Sequence, residues 1–79
     1  MFNSFLTPFN AYTVTKSDTT NLTNPSIIYV GTKGNIKVTS TENSGTVTFR
    51  NVASGTFLPL VVKRVWSAST TCLHIIGMY

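Results

Sequence analysis

The chain has 79 residues, 10% of them charged, a net charge of +4 and a single cysteine, Cys72. That length makes one domain, whose fold buries only ~60% of the surface of the unfolded chain. The lone cysteine excludes an intrachain disulfide. Cys72 and His74 fall short of the ~4 ligands that a structural zinc site takes, and Lys16, Lys33, Lys37, Arg50, Lys63 and Arg64 are too dispersed to form a polybasic tract.

Residues 1–10 read as an extended arm. Phe2, Phe5, Leu6 and Phe9 are apolar, while Asn3, Pro8 and Asn10 interrupt any helix or long strand. Three phenylalanines in so short a segment favour docking on a neighbouring subunit over a plain disordered terminus. Residues 11–79 read as a single β domain. The first strand is Ala11–Lys16, where Tyr12, Val14 and Lys16 alternate with Thr13 and Thr15. Ser17-Asp18 follows as a turn, with Asp18 placed to bond the backbone just ahead, and a loop runs to Asn24-Pro25.

Ser26–Val30 is apolar on both faces, as in a central or covered strand. Gly31–Asn35 reads as a glycine-containing hairpin connection. The strand Ile36–Ser40 points Ile36 and Val38 inward, and Thr46–Arg50 points Val47 and Phe49 inward with Arg50 outward. After a turn at Asn51–Gly55 comes a long strand, Thr56–Trp66, in which Pro59 lacks an amide hydrogen and so implies a bulge, a bend or an edge. Ser67–Thr71 is the last turn and Cys72–Tyr79 the last strand. About six short strands with closely spaced turns predict an all-β fold, a small antiparallel sandwich or barrel with an extended N-terminal arm.

The composition points to assembly. Average chains carry ~25% charged residues, and here Thr, Ser and Asn supply the polarity instead. A small core with neither disulfide nor metal is most stable as part of an oligomer. The start of the chain lacks the pattern of a signal peptide, and no stretch reaches the ~18 apolar residues of a membrane span. The chain is therefore expected to be made in the cytosol and to stay reduced until assembly, and the sequon Asn21-Leu22-Thr23 carries no weight.

Catalytic groups are sparse. The two carboxylates, Asp18 and Glu42, lie in turns. Cys72 and His74, two apart on an expected strand, would share a face as a thiolate–imidazole pair, but plain packing is the simpler reading. Gly31-Thr32-Lys33-Gly34 lacks the following helix that a phosphate loop needs. No enzyme and no cofactor are expected. The rival reading is a small single-stranded nucleic-acid-binding domain of the OB type, in which Arg64 and Trp66 would form one stacking site. A single such pair is a weak platform, so nucleic acid is disfavoured as a partner.

The stretch from the first strand onward resembles a known family. The residues that carry the likeness are Ser17-Asp18-Thr19-Thr20, Ile28-Tyr29-Val30-Gly31-Thr32 with Gly34, and Val47-Thr48-Phe49-Arg50-Asn51-Val52-Ala53-Ser54-Gly55-Thr56. Leu58-Pro59-Leu60, Val62-Lys63-Arg64-Val65, Thr70-Thr71 and the terminal Ile75 to Tyr79 continue it in order and spacing. They resemble the small head-spike base and capsid-decorating virion proteins of gene transfer agents and tailed bacteriophages. The likeness covers about residues 11–79 and does not extend to the arm. It departs at Ser69, where the family has glycine before the paired threonines, which implies a different last turn.

The resemblance implies a non-enzymatic structural protein on the capsid surface of a virion, a head-spike base or cement protein. Its partners would be the major capsid protein, its own copies as a homo-oligomer (a pentamer favoured over a trimer) and a fibre or spike protein, with no membrane involved. A tail or neck component is the alternative within the same class, and a host-directed binding module has no distinctive residue to support it. The residues expected at protein interfaces are Phe2, Phe5 and Phe9 of the arm, followed by Arg50, Lys63, Arg64 and Trp66, with Trp66 equally suited to the core.

Overall fold

Alternating β-branched and polar residues form six strands in the computed structural model, which describes residues 10–41 and 45–79. They are β1 (Ala11–Thr13), β2 (Ser26–Val30), β3 (Gly34–Ser40), β4 (Thr46–Val52), β5 (Thr56–Val65) and β6 (Ile76–Met78). The strands pair antiparallel in one sheet, in the order β1-β6-β2-β5-β3-β4. The fold is all-β, as expected. Phe2, Phe5 and Phe9 of the expected arm lie outside the described residues.

β5 holds this sheet together by serving two partners in series. Its first part pairs with β2, through Thr56↔Val30, Phe57↔Tyr29, Val61↔Ile27 and Val62↔Ser26. Its last part pairs with β3, through Val62↔Ser40, Arg64↔Thr39 and Val65↔Val38. The register with β2 shifts between Phe57 and Val61, the stretch that contains Pro59, so the missing amide hydrogen coincides with a bulge. A second shift falls between Val62 and Arg64. Bulges bend a strand and strengthen its twist, and here they curl one sheet around one core. That core gathers Ile28 and Val30 from β2, Ile36 and Val38 from β3, Val52 from β4 and Leu58, Val62 and Val65 from β5, with Val14, Cys72 and Ile75 from the adjoining segments.

At the other end of the sheet, Tyr12 of β1 lies over Gly77 of β6, its cross-strand partner. A Cβ on Gly77 would come within 2.6 Å of the Tyr12 ring. The phenol hydroxyl hydrogen-bonds Ser26 Oγ at 2.7 Å, and the ring meets Tyr79 edge-on, with centroids 5.8 Å apart.

Several expectations are corrected. Residues 31–35 do not close a hairpin, because β5 lies between β2 and β3. Gly31 and Gly34 instead run against residues 71–74, where a Cβ on either would come within 2.6 Å of His74 or Thr71. β1 ends at Thr13, not Lys16, because the chain leaves β6 after the Val14 amide bonds Ile75 O and crosses so that the Ser17 amide bonds Val65 O. The last strand starts at Ile76 because residues 70–73 bond along the 32–37 stretch and His74 takes a φ of 56°. Val47 shares a face with Val38, its cross-strand partner, yet is 54% exposed, because β4 is the edge strand and nothing opposes its rim.

Ser69 also has a φ of 66°, at the third position of the turn that the Thr70 amide closes onto Ser67 O. A left-handed backbone costs an L-residue ~1–2 kcal/mol and costs glycine almost nothing, so glycine would suit this position better than serine. Ser69→Gly should therefore raise stability by ~0.5–1 kcal/mol, after the larger chain entropy of unfolded glycine is offset. Urea denaturation should show a higher midpoint at an unchanged slope; a lower midpoint would contradict the assignment.

Candidate assembly surface

Trp66 follows the end of β5 and is half-buried. Its indole N–H donates to Thr39 Oγ1 at 2.8 Å. Two cations engage its ring: Lys37 Nζ of β3 lies 4.6 Å from the centroid and the Arg64 guanidinium carbon of β5 lies 5.0 Å away. Arg64 then reaches across to the 18–21 segment. Its Nε donates to Asn21 Oδ1 at 2.8 Å, and its terminal nitrogens donate to Asp18 O and Thr19 O at 3.3 and 3.4 Å.

The same segment is fastened from the other side. Asp18 Oδ1 accepts the amide hydrogens of Ser67 and Ala68 at 2.9 Å each, and the Leu22 amide bonds Lys63 O at 2.8 Å. Asp18 therefore does not cap its own turn as expected. Ser17 Oγ does so, accepting from the Thr19 and Thr20 amides. The result is a clasp that ties residues 17–22 to 63–68. The anticipated Arg64–Trp66 pair forms, but its ring already holds two cations of its own chain and its guanidinium holds the backbone. Lys37 and Asn21 were not anticipated in it. They are remote in sequence, and only the β3–β5 pairing and the return of the 17–22 segment bring them close.

The other expected residues lie apart from this clasp. Arg50 is exposed on the edge strand β4, beside the bulged Asn51 with its φ of 57°. Lys63 is half-buried at the β5 register shift. Cys72 and His74 do not share a face: the thiol is fully buried and the imidazole is exposed. Burial pushes the Cys72 thiol up from its ordinary range, against the opposing charge of Lys16.

A feature that residue-by-residue reading missed lies on the outside of the sheet. β2 alternates buried Ser26, Ile28 and Val30 with half-buried Ile27 and Tyr29. Ile27 pairs with Met78 on one side and Val61 on the other, and Tyr29 pairs with Ile76 and Phe57. Directly paired residues share a face, so these six side chains make two apolar rows across β6, β2 and β5. Tyr29 and Phe57 meet edge-on at 5.1 Å, and Phe57 remains 57% exposed. Larger exposed apolar patches are features that interaction surfaces share. The signal was present in Ser26–Val30, apolar on both faces, but its extent depends on strands distant in sequence.

No family model and no curated protein matches the chain. Among solved structures, a chain in one described as "Capsid of native GTA particle computed with C5 symmetry" is similar to it, GTA denoting a gene transfer agent. The two superpose with a TM-score of 0.79 at 32% sequence identity, over 91% of this chain and 83% of that one.

The clasp predicts that Arg64→Ala lowers stability by ~1–2 kcal/mol, the sum expected of a partly exposed cation–π contact and its hydrogen bonds. Urea denaturation followed by Trp66 fluorescence measures this; an unchanged midpoint would mean that Arg64 fastens nothing.

Proposed function

Because the chain belongs to the family of the gene transfer agent capsid protein that it matches, we propose that it is a structural protein decorating the exterior of a phage-like capsid, as a head-spike base or cement protein. The observation that carries this reading is the 32% identity over 91% of the chain, together with a TM-score of 0.79. The resemblance to head-spike base proteins favours a ring of five copies over a trimer, and C5 symmetry, with which the matched particle was computed, is compatible with such a ring. Such a ring would sit on the major capsid protein and offer a base for a fibre or spike protein.

The surface suits that task. Cohesion in an assembly comes from aromatic and apolar anchors in desolvated contacts, while rim charges tune salt sensitivity and encounter rate. In this reading the arm phenylalanines, Phe2, Phe5 and Phe9, are the anchors. Arg50 and Lys63 supply rim charge, and Arg64 and Trp66 present the edge of the clasp to a neighbour.

Purified particles test the proposal. Mass spectrometry should find the protein, and immunogold label should decorate heads; label confined to tails or absent from heads overturns it. Deleting residues 1–9 should lower the copy number per particle several-fold while the circular-dichroism melt of the domain is retained, and full occupancy after deletion would remove the arm from the attachment.

A further inference from the structure

The two apolar rows on the outside of the sheet need an occupant. Ile27, Tyr29, Phe57, Val61, Ile76 and Met78 carry no charge, and Phe57 and Val61 are 57% and 38% exposed. We propose that this face receives residues 1–9 of an adjacent copy of the chain, an inference that rests on the assembly reading above and names the contact through which copies join.

Three observations choose this occupant. The first is chemical. Residues 1–9, Met-Phe-Asn-Ser-Phe-Leu-Thr-Pro-Phe, contain no charged side chain and three phenylalanines, which matches an uncharged face that already holds an edge-on aromatic pair. Further rings add to such a cluster in edge-to-face or offset contacts. The second is reach. Nine extended residues span about 30 Å, against domain dimensions of 33 × 24 × 21 Å, so the segment can cross to a neighbour and lie over the ~10 Å separating β6 from β5.

The third is direction. Asn10 extends the β1–β6 ladder by a reciprocal pair of backbone hydrogen bonds with Tyr79, at 2.8 and 3.0 Å. The two rows begin at the next rung inward, at Met78, and run away from Asn10. A chain leaving Asn10 in the strand direction heads off its own face, and returning to that face would need a reversal of the chain, whereas a neighbour's face needs none. Donating a segment to the next copy and receiving one from the previous copy is a head-to-tail contact, which closes into a ring when the rotation between copies permits.

Complementation in solution tests this with the full chain. An arm variant carries Phe2→Ser, Phe5→Ser and Phe9→Ser; a face variant carries Phe57→Lys and Val61→Lys, both at exposed positions, with circular dichroism verifying that it folds. If the lysines disturb folding, Phe57→Ser alone serves. Light scattering and native mass spectrometry should find wild type as an oligomer and each variant alone as a monomer. Their equimolar mixture should form a one-to-one heterodimer, because the face variant keeps an intact segment and the arm variant an intact face. Lys33→Ala, at an exposed position outside the two rows, should keep the wild-type mass. Monomeric wild type, an oligomer that survives both variants, or a mixture that stays monomeric overturns the proposal; the last result with wild type also monomeric is what docking onto the chain's own face would produce. A chain that passes this test yet is absent from heads defeats the capsid reading and leaves the contact standing.

Discussion

The structure depends on one strand holding two partners in turn. β5 pairs first with β2 and then with β3, and every other pairing hangs from one of those two ladders. Were β5 straight, a single sheet would leave one apolar face in water. Its bulges, one around Pro59 and one at Lys63, turn the second ladder against the first. Ile28, Ile36, Val62 and Val65 can then meet inside at full burial. The proline that looks like a defect in a long apolar strand is therefore the place where the layer bends.

Bending alone leaves the curled sheet open at one side. The clasp closes it: Arg64 and Asp18 bond across in opposite senses, Arg64 to the 18–21 segment and Asp18 to the amides of the 67–68 turn. Each side chain satisfies backbone groups that no strand reaches. Their charges are thus engaged locally on a surface with few charges, while Arg50 and Lys33 stay exposed elsewhere among threonines, serines and the apolar rows.

Local pattern made most strands legible. Ser26–Val30 was bounded correctly, because its apolar run is flanked by Pro25 and Gly31, and Ile36 and Val38 were rightly placed inside. What local pattern cannot show is which strand sits beside which. The glycines at 31 and 34 look like hairpin punctuation, yet they serve the close approach of residues 71–74, a fact that depends on contacts some forty positions away. The ends of β1 and β6 failed for the same reason: alternation continues through Lys16 and from Cys72, while partners do not. The candidate surface was half legible. Arg64 and Trp66 were singled out together and are together, but the ties that give them a structural task come from Lys37, Asn21 and a returning loop. The apolar rows became visible only when Ile76, Ile27, Tyr29 and Phe57 were brought side by side.

The position of β6 carries a consequence for how the chain acquires its shape. The last strand lies between β1 and β2, so neither of those edges has its neighbour until Ile76–Met78 arrives. Ribosomal synthesis thus delivers the β3–β4 pair before β6, whereas the side of the sheet bearing the apolar rows assembles only once β6 has been made. Pairings this distant in sequence fold on the scale of milliseconds to seconds. During that interval both the rows and the unmatched edges of β1 and β2 are open to other molecules. On the proposed assembly, copies of the chain would meet while the surface proposed to join them is still forming, which would tie folding and oligomerisation to a shared clock.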